Sequence, residues 1–247
     1  MSDHRLTPAA VAAAVDALAD PVRAQGAQRF FKTGPGDYAE GDRFVGVPVP
    51  QLRSLTRTFT GLEPSGVITL LDSAMHEHRL IGLFLLRDGF ERAATDDRRE
   101  RWVELYLEAV RGGRVNNWDL VDSSADPILG EWLIDRPRGL LAELAADDTL
   151  WTRRVGVVAT FAFLKRGDAA ALYEVAPLVI ADRRDLIQKA FGWMLPEAGK
   201  RCDAEELLAY LGDNAPAMGR TALSYATEHL DVTTRAELRA LRQRRAC

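Results

Sequence analysis

The chain has 247 residues, 47% hydrophobic and 28% charged, with 32 Lys and Arg against 36 Asp and Glu for a net charge of −4. This composition excludes collagen-like and Pro/Gly-rich disordered chains, and it argues against a uniformly basic nucleic-acid-binding coat but not against one basic face. Two cysteines and four scattered histidines exclude a disulfide scaffold and a cysteine-type zinc site, so we expect no bound metal.

The sequence has no membrane or export signal that we can identify. No apolar run reaches the 18 residues or so that a membrane span needs. The first residues are charged, and the Ala-rich stretch that follows is interrupted by Asp16 and Asp20. We therefore expect no signal peptide and a cytoplasmic protein.

Nearly every segment has helical periodicity, and strand-like alternation is almost absent. Proline repeatedly occupies a first helical position, as in Asp20-Pro21 and Glu63-Pro64. The Gly- and Pro-rich stretch 33–48 predicts a loop. The sequence thus predicts an all-α fold with helices near 8–19, 21–32, 50–59, 64–72, 74–89, 97–111, 117–134 with a break at Pro127, 137–146, 149–165, 169–181, 184–199, 203–211, 216–229 and 233–245.

The predicted helices form pairs whose second members recur at a period typical of HEAT-like repeats. Since one hairpin cannot bury its apolar face alone, we expect neighbours to stack in a curved solenoid whose second helices line a concave face. We predict a single domain over 1–247, consisting of N-terminal helices (1–32), a loop (33–48) and repeats (49–247).

The second helices of these pairs carry basic and aromatic side chains, a combination typical of a nucleic-acid-binding groove. For any one Arg, a solvated helix face is the more ordinary explanation, and the recurrence over five helices weakens that explanation but does not remove it. The side chains are Arg79, Arg87, Trp118, Arg153, Arg154, Lys189, Trp193 and Arg220.

Two of these positions lie where a helix N-terminus disfavours a cation. Arg153 and Arg154 follow the predicted helix start at 149, so an approaching phosphate would satisfy them. A pair of solvent-facing arginines is the alternative.

The segment that begins at Asn117 combines a carboxylate with an indole. Asp119 falls in the first helical turn, where we assign it a structural capping role. Asp122 lies one turn beyond Trp118 on the same face, where it can stabilise a cation beside an aromatic wall. The alternative is a surface Asp beside a core Trp. Elsewhere, Gly192 indicates close packing or ligand approach next to Trp193.

Taken in order and spacing, these segments resemble the AlkD-type DNA alkylation repair proteins, which are HEAT-like DNA glycosylases. The resemblance runs from about Arg29 to His229, and its most specific motifs are W-D-L-V-D at 118–122 and Q-K-A-F-G-W at 188–193. Two positions depart from the pattern. Phe30 stands where the family often has Tyr, and Pro196 stands where it often has Arg.

The resemblance implies a function and a set of site residues. The family hydrolyses the N-glycosidic bond of N3-alkyladenine and N7-alkylguanine in duplex DNA without flipping the base into a pocket. By position, Asp122 corresponds to the catalytic carboxylate, and Trp118 and Trp193 to aromatic walls. The residues expected to contact DNA are Arg153, Arg154, Lys189, Arg220 and Phe30.

The implied chemistry requires no metal or cofactor. A cationic alkylpurine leaves as a neutral base, so no general acid is needed, and the sugar becomes oxocarbenium-like. One carboxylate can stabilise that charge and position a water, while indole faces attract cations. We expect a monomer whose partner is alkylated double-stranded DNA and which is associated with the nucleoid when bound.

Two other function classes stay open at this point. One is a non-catalytic HEAT-like protein that binds bent or branched DNA. The other is a protein-binding HEAT scaffold, which the net negative charge favours slightly.

Overall fold

A computed structural model of the chain describes residues 6–244, apart from the side chain of Arg244. In this range the protein consists of helices joined by turns and loops, which confirms the predicted all-α class. None of the helices described combines the length and apolar character needed to cross a membrane. The end of the predicted helix 233–245 and Cys247 lie outside the described residues.

The helices largely follow the predicted series, with ends displaced by a few residues. They are α1 (Pro8–Asp16), α2 (Pro21–Phe30), α3 (Val49–Thr58), α4 (Pro64–Leu71), α5 (His76–Arg92), α6 (Asp96–Arg111), α7 (Trp118–Asp122), α8 (Glu131–Leu133), α9 (Gly139–Ala146), α10 (Leu150–Val158), α11 (Phe161–Leu164), α12 (Ala170–Val179), α13 (Asp185–Arg201), α14 (Ala204–Asn214), α15 (Arg220–Ala226) and α16 (Val232–Arg244).

The fold divides into two compact units, Met1–Ser124 and Ala125–Cys247. In the first unit, α5 is the central helix and contacts α1, α3, α4, α6 and α7. Every residue of α5 from His76 to Leu86 is buried, including four polar residues in its first turn. A helix covered on all sides forms the core of its unit, so those polar side chains need partners from the surrounding segments.

The second unit consists of helical hairpins in two layers. Helices α10, α13 and α15 contact one another in succession. Helix α10 also packs against α9, and α13 packs against α12 and α14. Tyr173 of α12 stacks on Tyr210 of α14 with ring centroids 4.8 Å apart. This layering is the arrangement expected of HEAT-like repeats.

Helices α13 and α15 of the second unit approach closely at a glycine that the sequence singled out. A Cβ on Gly192 would lie 2.7 Å from the carbonyl oxygen of Ala222 and 2.8 Å from the Cβ of Tyr225. The prediction of close packing is thereby confirmed. Helix α13 continues through Pro196 to Arg201.

The predicted helix 117–134 is interrupted earlier than expected. Helix α7 ends at Asp122, and a π-helical turn over Ala125–Gly130 contains Pro127. The hydroxyl of Ser124 donates to the carbonyl of Leu120 at 2.6 Å, and such a local bond competes with the helical ladder. Proline lacks an N–H, and the wider π turn accommodates it.

Candidate active site

Helix α7, which carries two of the predicted site residues, begins with side chains that cap its free N–H groups. The Asn117 side-chain oxygen accepts from the N–H of Trp118 at 2.8 Å. The Asp119 Oδ1 accepts from the N–H of Leu120 at 2.9 Å. Asp119 thus has the structural role that its first-turn position predicted.

A buried charged cluster ties this helix start to α5. The second oxygen of Asp119 lies 2.8 Å from His76 Nε2, and His76 Nδ1 lies 3.2 Å from Asp42 Oδ2. Arg79 Nη2 donates to the other Asp42 oxygen at 2.6 Å. Asn116 Nδ2 donates to that same oxygen at 3.3 Å. Two carboxylates, an imidazole and a guanidinium therefore share one site beneath α7.

The ionisation states in this cluster follow from its geometry. Burial of the imidazole opposes its protonation, but hydrogen bonds to Asp119 and Asp42 prevail and raise the pKa of His76 to about 9. Burial likewise opposes ionisation of Asp42, yet its bonds with His76 and the charge of Arg79 lower the pKa of that carboxyl. At neutral pH the imidazole of His76 is therefore protonated and the carboxyl of Asp42 is ionised.

An aromatic stack supports the indole of Trp118 from below. The ring of Phe31 is nearly parallel to Trp118 at 5.3 Å and to Phe44 at 5.0 Å. The imidazole of His76 stacks on Phe44 at 4.5 Å. Phe30 meets the same indole edge-on at 5.9 Å and is 66% exposed. An exposed phenyl ring beside a supported indole is an aromatic surface open to a partner.

Within the first unit, three predicted site residues therefore come together. Trp118 and Asp122 are the two ends of α7, and Phe30 contacts the indole. Asp122 is half-buried. Burial raises the pKa of the nearby Tyr106 hydroxyl, and the charge of Asp122 adds to that effect.

The loop that precedes α3, which lies beside the aromatic stack, is held in place by the carboxylate of Glu77. Glu77 accepts from the successive N–H groups of Val45, Gly46 and Val47, at 2.9, 2.7 and 3.3 Å. Gly46 has a φ of +89°, and a Cβ there would lie 2.2 Å from the carbonyl oxygen of Asp20. Only glycine fits this turn, which explains the V-G-V sequence.

In the second unit, the two adjacent arginines of α10 are engaged with protein groups. Arg154 is 5% exposed, and its Nη1 donates to the Leu186 carbonyl at 2.5 Å. Arg153 donates to carbonyls that include those of Ala146 and Leu178, and it pairs with Asp182 at 3.2 Å. Their contacts with phosphate stay a prediction.

Lys189 and Trp193 lie one turn apart on α13, so they share a face. The indole is half-buried, with its ring 5.7 Å from that of Phe161. Lys189 pairs with Asp185 at 2.8 Å. Arg220 is exposed at the first position of α15. This face of α13 therefore combines a half-buried indole with one basic side chain, and α15 adds an exposed arginine at its first position.

One basic side chain was wrongly counted as part of a DNA-binding face. Arg79 is 4% exposed and bonds within the buried cluster, because helix α5 is buried on all sides from His76 to Leu86. Sequence reasoning also missed the cluster residues His76 and Asp42 and the stacked Phe31. The histidines were considered only as metal ligands, for which they are too scattered. Among the described residues, no group of three or more His, Cys, Asp or Glu side chains could hold a metal ion.

Comparisons with known proteins identify the family and the fold of this chain. The sequence profile of the DNA alkylation repair enzyme family matches residues 11–230. A solved structure described as a predicted DNA alkylation repair enzyme from Enterococcus faecalis superposes with a TM-score of 0.63 at 17% identity, and the match covers 87% of this chain and 97% of that chain. At 17% sequence identity, this structural similarity establishes the fold alone. No curated protein matches the sequence significantly. Because the profile match spans most of its length, the chain belongs to the DNA alkylation repair enzyme family.

Proposed function

We propose that this protein is a DNA glycosylase that hydrolyses the N-glycosidic bond of N3-alkyladenine and N7-alkylguanine in duplex DNA. The observation that carries the proposal is the pairing of Trp118 and Asp122 on one short helix, within a chain of the DNA alkylation repair enzyme family. Phe30 adds an exposed ring to the same indole.

The proposed mechanism uses the carboxylate of Asp122. An alkylated purine carries a positive charge and departs as a neutral base, so the protein has no leaving group to protonate. As the bond lengthens, positive charge moves to the deoxyribose, which an anionic group at short range stabilises. The same carboxylate orients the water that attacks the anomeric carbon, and it accepts the proton which that water loses.

The indole of Trp118 complements this role. An indole face attracts a cation by about 0.5–2 kcal/mol, more where water is excluded. The stack beneath Trp118 fixes the ring plane, so little rotational freedom is lost when a lesion approaches. We include Trp193 as a second indole that contacts the lesion-bearing DNA.

The remaining proposed contacts act on the phosphate backbone. Lys189 and Arg220 are accessible on the second unit, and we assign them direct phosphate contacts. Arg153, which is half-buried, belongs to the same proposed DNA-binding set. Arg154 was predicted to belong to it too, but it is 5% exposed and donates to the Leu186 carbonyl, so we assign it the role of supporting this face from within the protein. Affinity that depends on phosphate contacts falls steeply with salt concentration, whereas a protein-binding scaffold would show no salt-dependent affinity for DNA.

The test is base release from duplexes that contain N7-methylguanine or N3-methyladenine. We expect the wild type to release both bases, and Asp122→Asn to slow release by about 10²- to 10³-fold while duplex binding persists. Asp213→Asn is the matched control, since Asp213 is exposed on α14 and should leave release unchanged.

Two outcomes would contradict the proposal. If the folded wild type releases neither base, the protein is not a glycosylase for these lesions. A gel shift with branched and linear duplexes then tests the alternative of a non-catalytic protein for bent or branched DNA. If Asp122→Asn retains full activity, the carboxylate has been assigned to the wrong residue.

A further inference from the structure

The two histidines in the first turn of α5 bond to different segments of the first unit. His76 holds Asp119 and Asp42, whereas His78 holds Ser73 at 3.1 Å and Asp16 at 2.9 Å. Both histidines are buried on the same helix, but of the two it is His76 that bonds to α7, through Asp119. Their roles can therefore be separated by experiment.

His76 contacts both supports of the helix that carries the proposed reactive groups. Through Nε2 it binds Asp119, whose other oxygen caps α7. Through its ring face it packs on Phe31 at 5.1 Å, and Phe31 stacks on the indole of Trp118. A substitution of His76 is therefore expected to disturb both the capping of α7 by Asp119 and the orientation of the Trp118 indole.

From this geometry, and resting on the proposed function, we infer that His76 is a positioning residue: by holding Asp119, it fixes the helix that presents the indole and the carboxylate to the lesion. Misplacement of a catalytic group by about 1 Å is enough to lower a rate by about 100-fold. The residue itself is 2% exposed and is enclosed by other side chains, so it acts through α7 rather than on the substrate.

The hold on α7 depends on protonation. Three charged groups face the imidazole: Asp119 from α7, Asp42 from the preceding loop, and Arg79 from α5 itself. An imidazolium donates to both carboxylates at once. A neutral imidazole donates to one of them and turns a lone pair toward the other. Positioning should therefore weaken as the pH rises toward the raised pKa of His76, about 9.

The test compares His76→Gln with His78→Gln in single-turnover base release from an N7-methylguanine duplex. We expect His76→Gln to lower the rate constant by about 10- to 100-fold, with the Kd for the duplex changed by less than about threefold. His78→Gln removes an equally buried histidine of the same helix, and its rate should stay near that of the wild type. The wild-type rate should also fall above about pH 8.5, and this alkaline limb of the pH–rate profile should be absent in His76→Gln.

A second measurement separates failure of this inference from failure of the proposed function. The indole N–H resonance of Trp118, assigned with Trp118→Phe, should shift with a midpoint near pH 9 in the wild type and in His78→Gln, but not in His76→Gln. An active wild type with equal rates for both variants would overturn the inference alone. A wild type without activity would overturn the function, and the resonance then decides whether His76 positions the indole.

If His76→Gln does not fold, Asp119→Asn provides the second route. It retains the side-chain shape but removes one of the two carboxylates that hold the imidazolium. We therefore expect the same loss of rate, and we expect the fall in rate at alkaline pH to begin at lower pH, because Asp42 alone then raises the pKa of His76. Full activity of a folded Asp119→Asn, with an unchanged pH profile, would refute the positioning role.

Discussion

The stability of the protein should depend on pH through His76 in a defined direction. The pKa of this imidazole is about 9 in the folded protein and near 6.5 in an unfolded chain. Because the folded-state value is the higher one, its contribution is complete below about pH 6.5 and is lost as the pH rises through about 9. At 1.36 kcal/mol per pKa unit, the difference corresponds to about 3 kcal/mol of unfolding free energy.

Urea denaturation between about pH 6 and 9.5 measures this contribution. The wild-type free energy of unfolding should decrease by about 3 kcal/mol more than that of His76→Gln over this range, because the variant has no imidazole to titrate. His229→Gln is the matched control, since its side chain is 76% exposed, and it should follow the wild type. Parallel curves for wild type and His76→Gln would show that the cluster does not hold a protonated imidazole.

Three backbone predictions follow from close approaches and a strained residue. Gly46→Ala should destabilise the protein by about 2–4 kcal/mol, because the φ of Gly46 is positive and the added Cβ would clash with the Asp20 carbonyl. Denaturant titration measures this loss, and a loss below about 0.5 kcal/mol would contradict the prediction. Gly192→Ala should cost about 1–3 kcal/mol by forcing α13 and α15 apart, and an unchanged midpoint would refute the packing. Lys32, with a φ of 52°, ends α2 in the left-handed region, so Lys32→Gly should raise the unfolding free energy by about 0.5–1 kcal/mol, and a decrease would be the contrary result.

Local signals were sufficient to predict the helices, because proline starts, capping residues and apolar periodicity act within a few positions. The interruption after Asp122 was placed too late because proline was taken as the breaking residue. Ser124 ends the ladder first by donating to the Leu120 carbonyl, and serine at that position is compatible with a continuing helix.

The candidate site was only half predictable. The pairing of Trp118 with Asp122 follows from the helical repeat, since the two residues are one turn apart. The cluster beneath them joins Asp42, His76 and Asp119, which are separated by 34 and 43 positions in the sequence. Helical periodicity predicts contacts only between residues a few positions apart, so it could not reveal this cluster. Arg79 was assigned to a DNA-binding face for the same reason, because its partner Asp42 lies 37 positions away.

The order of assembly during folding follows from the first turn of α5. Its contacts bridge 62 positions to Asp16, 43 to Asp119 and about 31 to the loop at Gly46. Closing loops of these lengths costs conformational entropy before the stabilising contacts are made. We therefore expect these hydrogen bonds to form late in folding. A nascent or partly unfolded chain would hold α7 as an isolated five-residue segment, which is too short to stay helical alone. Under the proposed function, the indole and the carboxylate are therefore presented to a lesion only once the N-terminal segments have docked, so an incompletely folded copy would release no base.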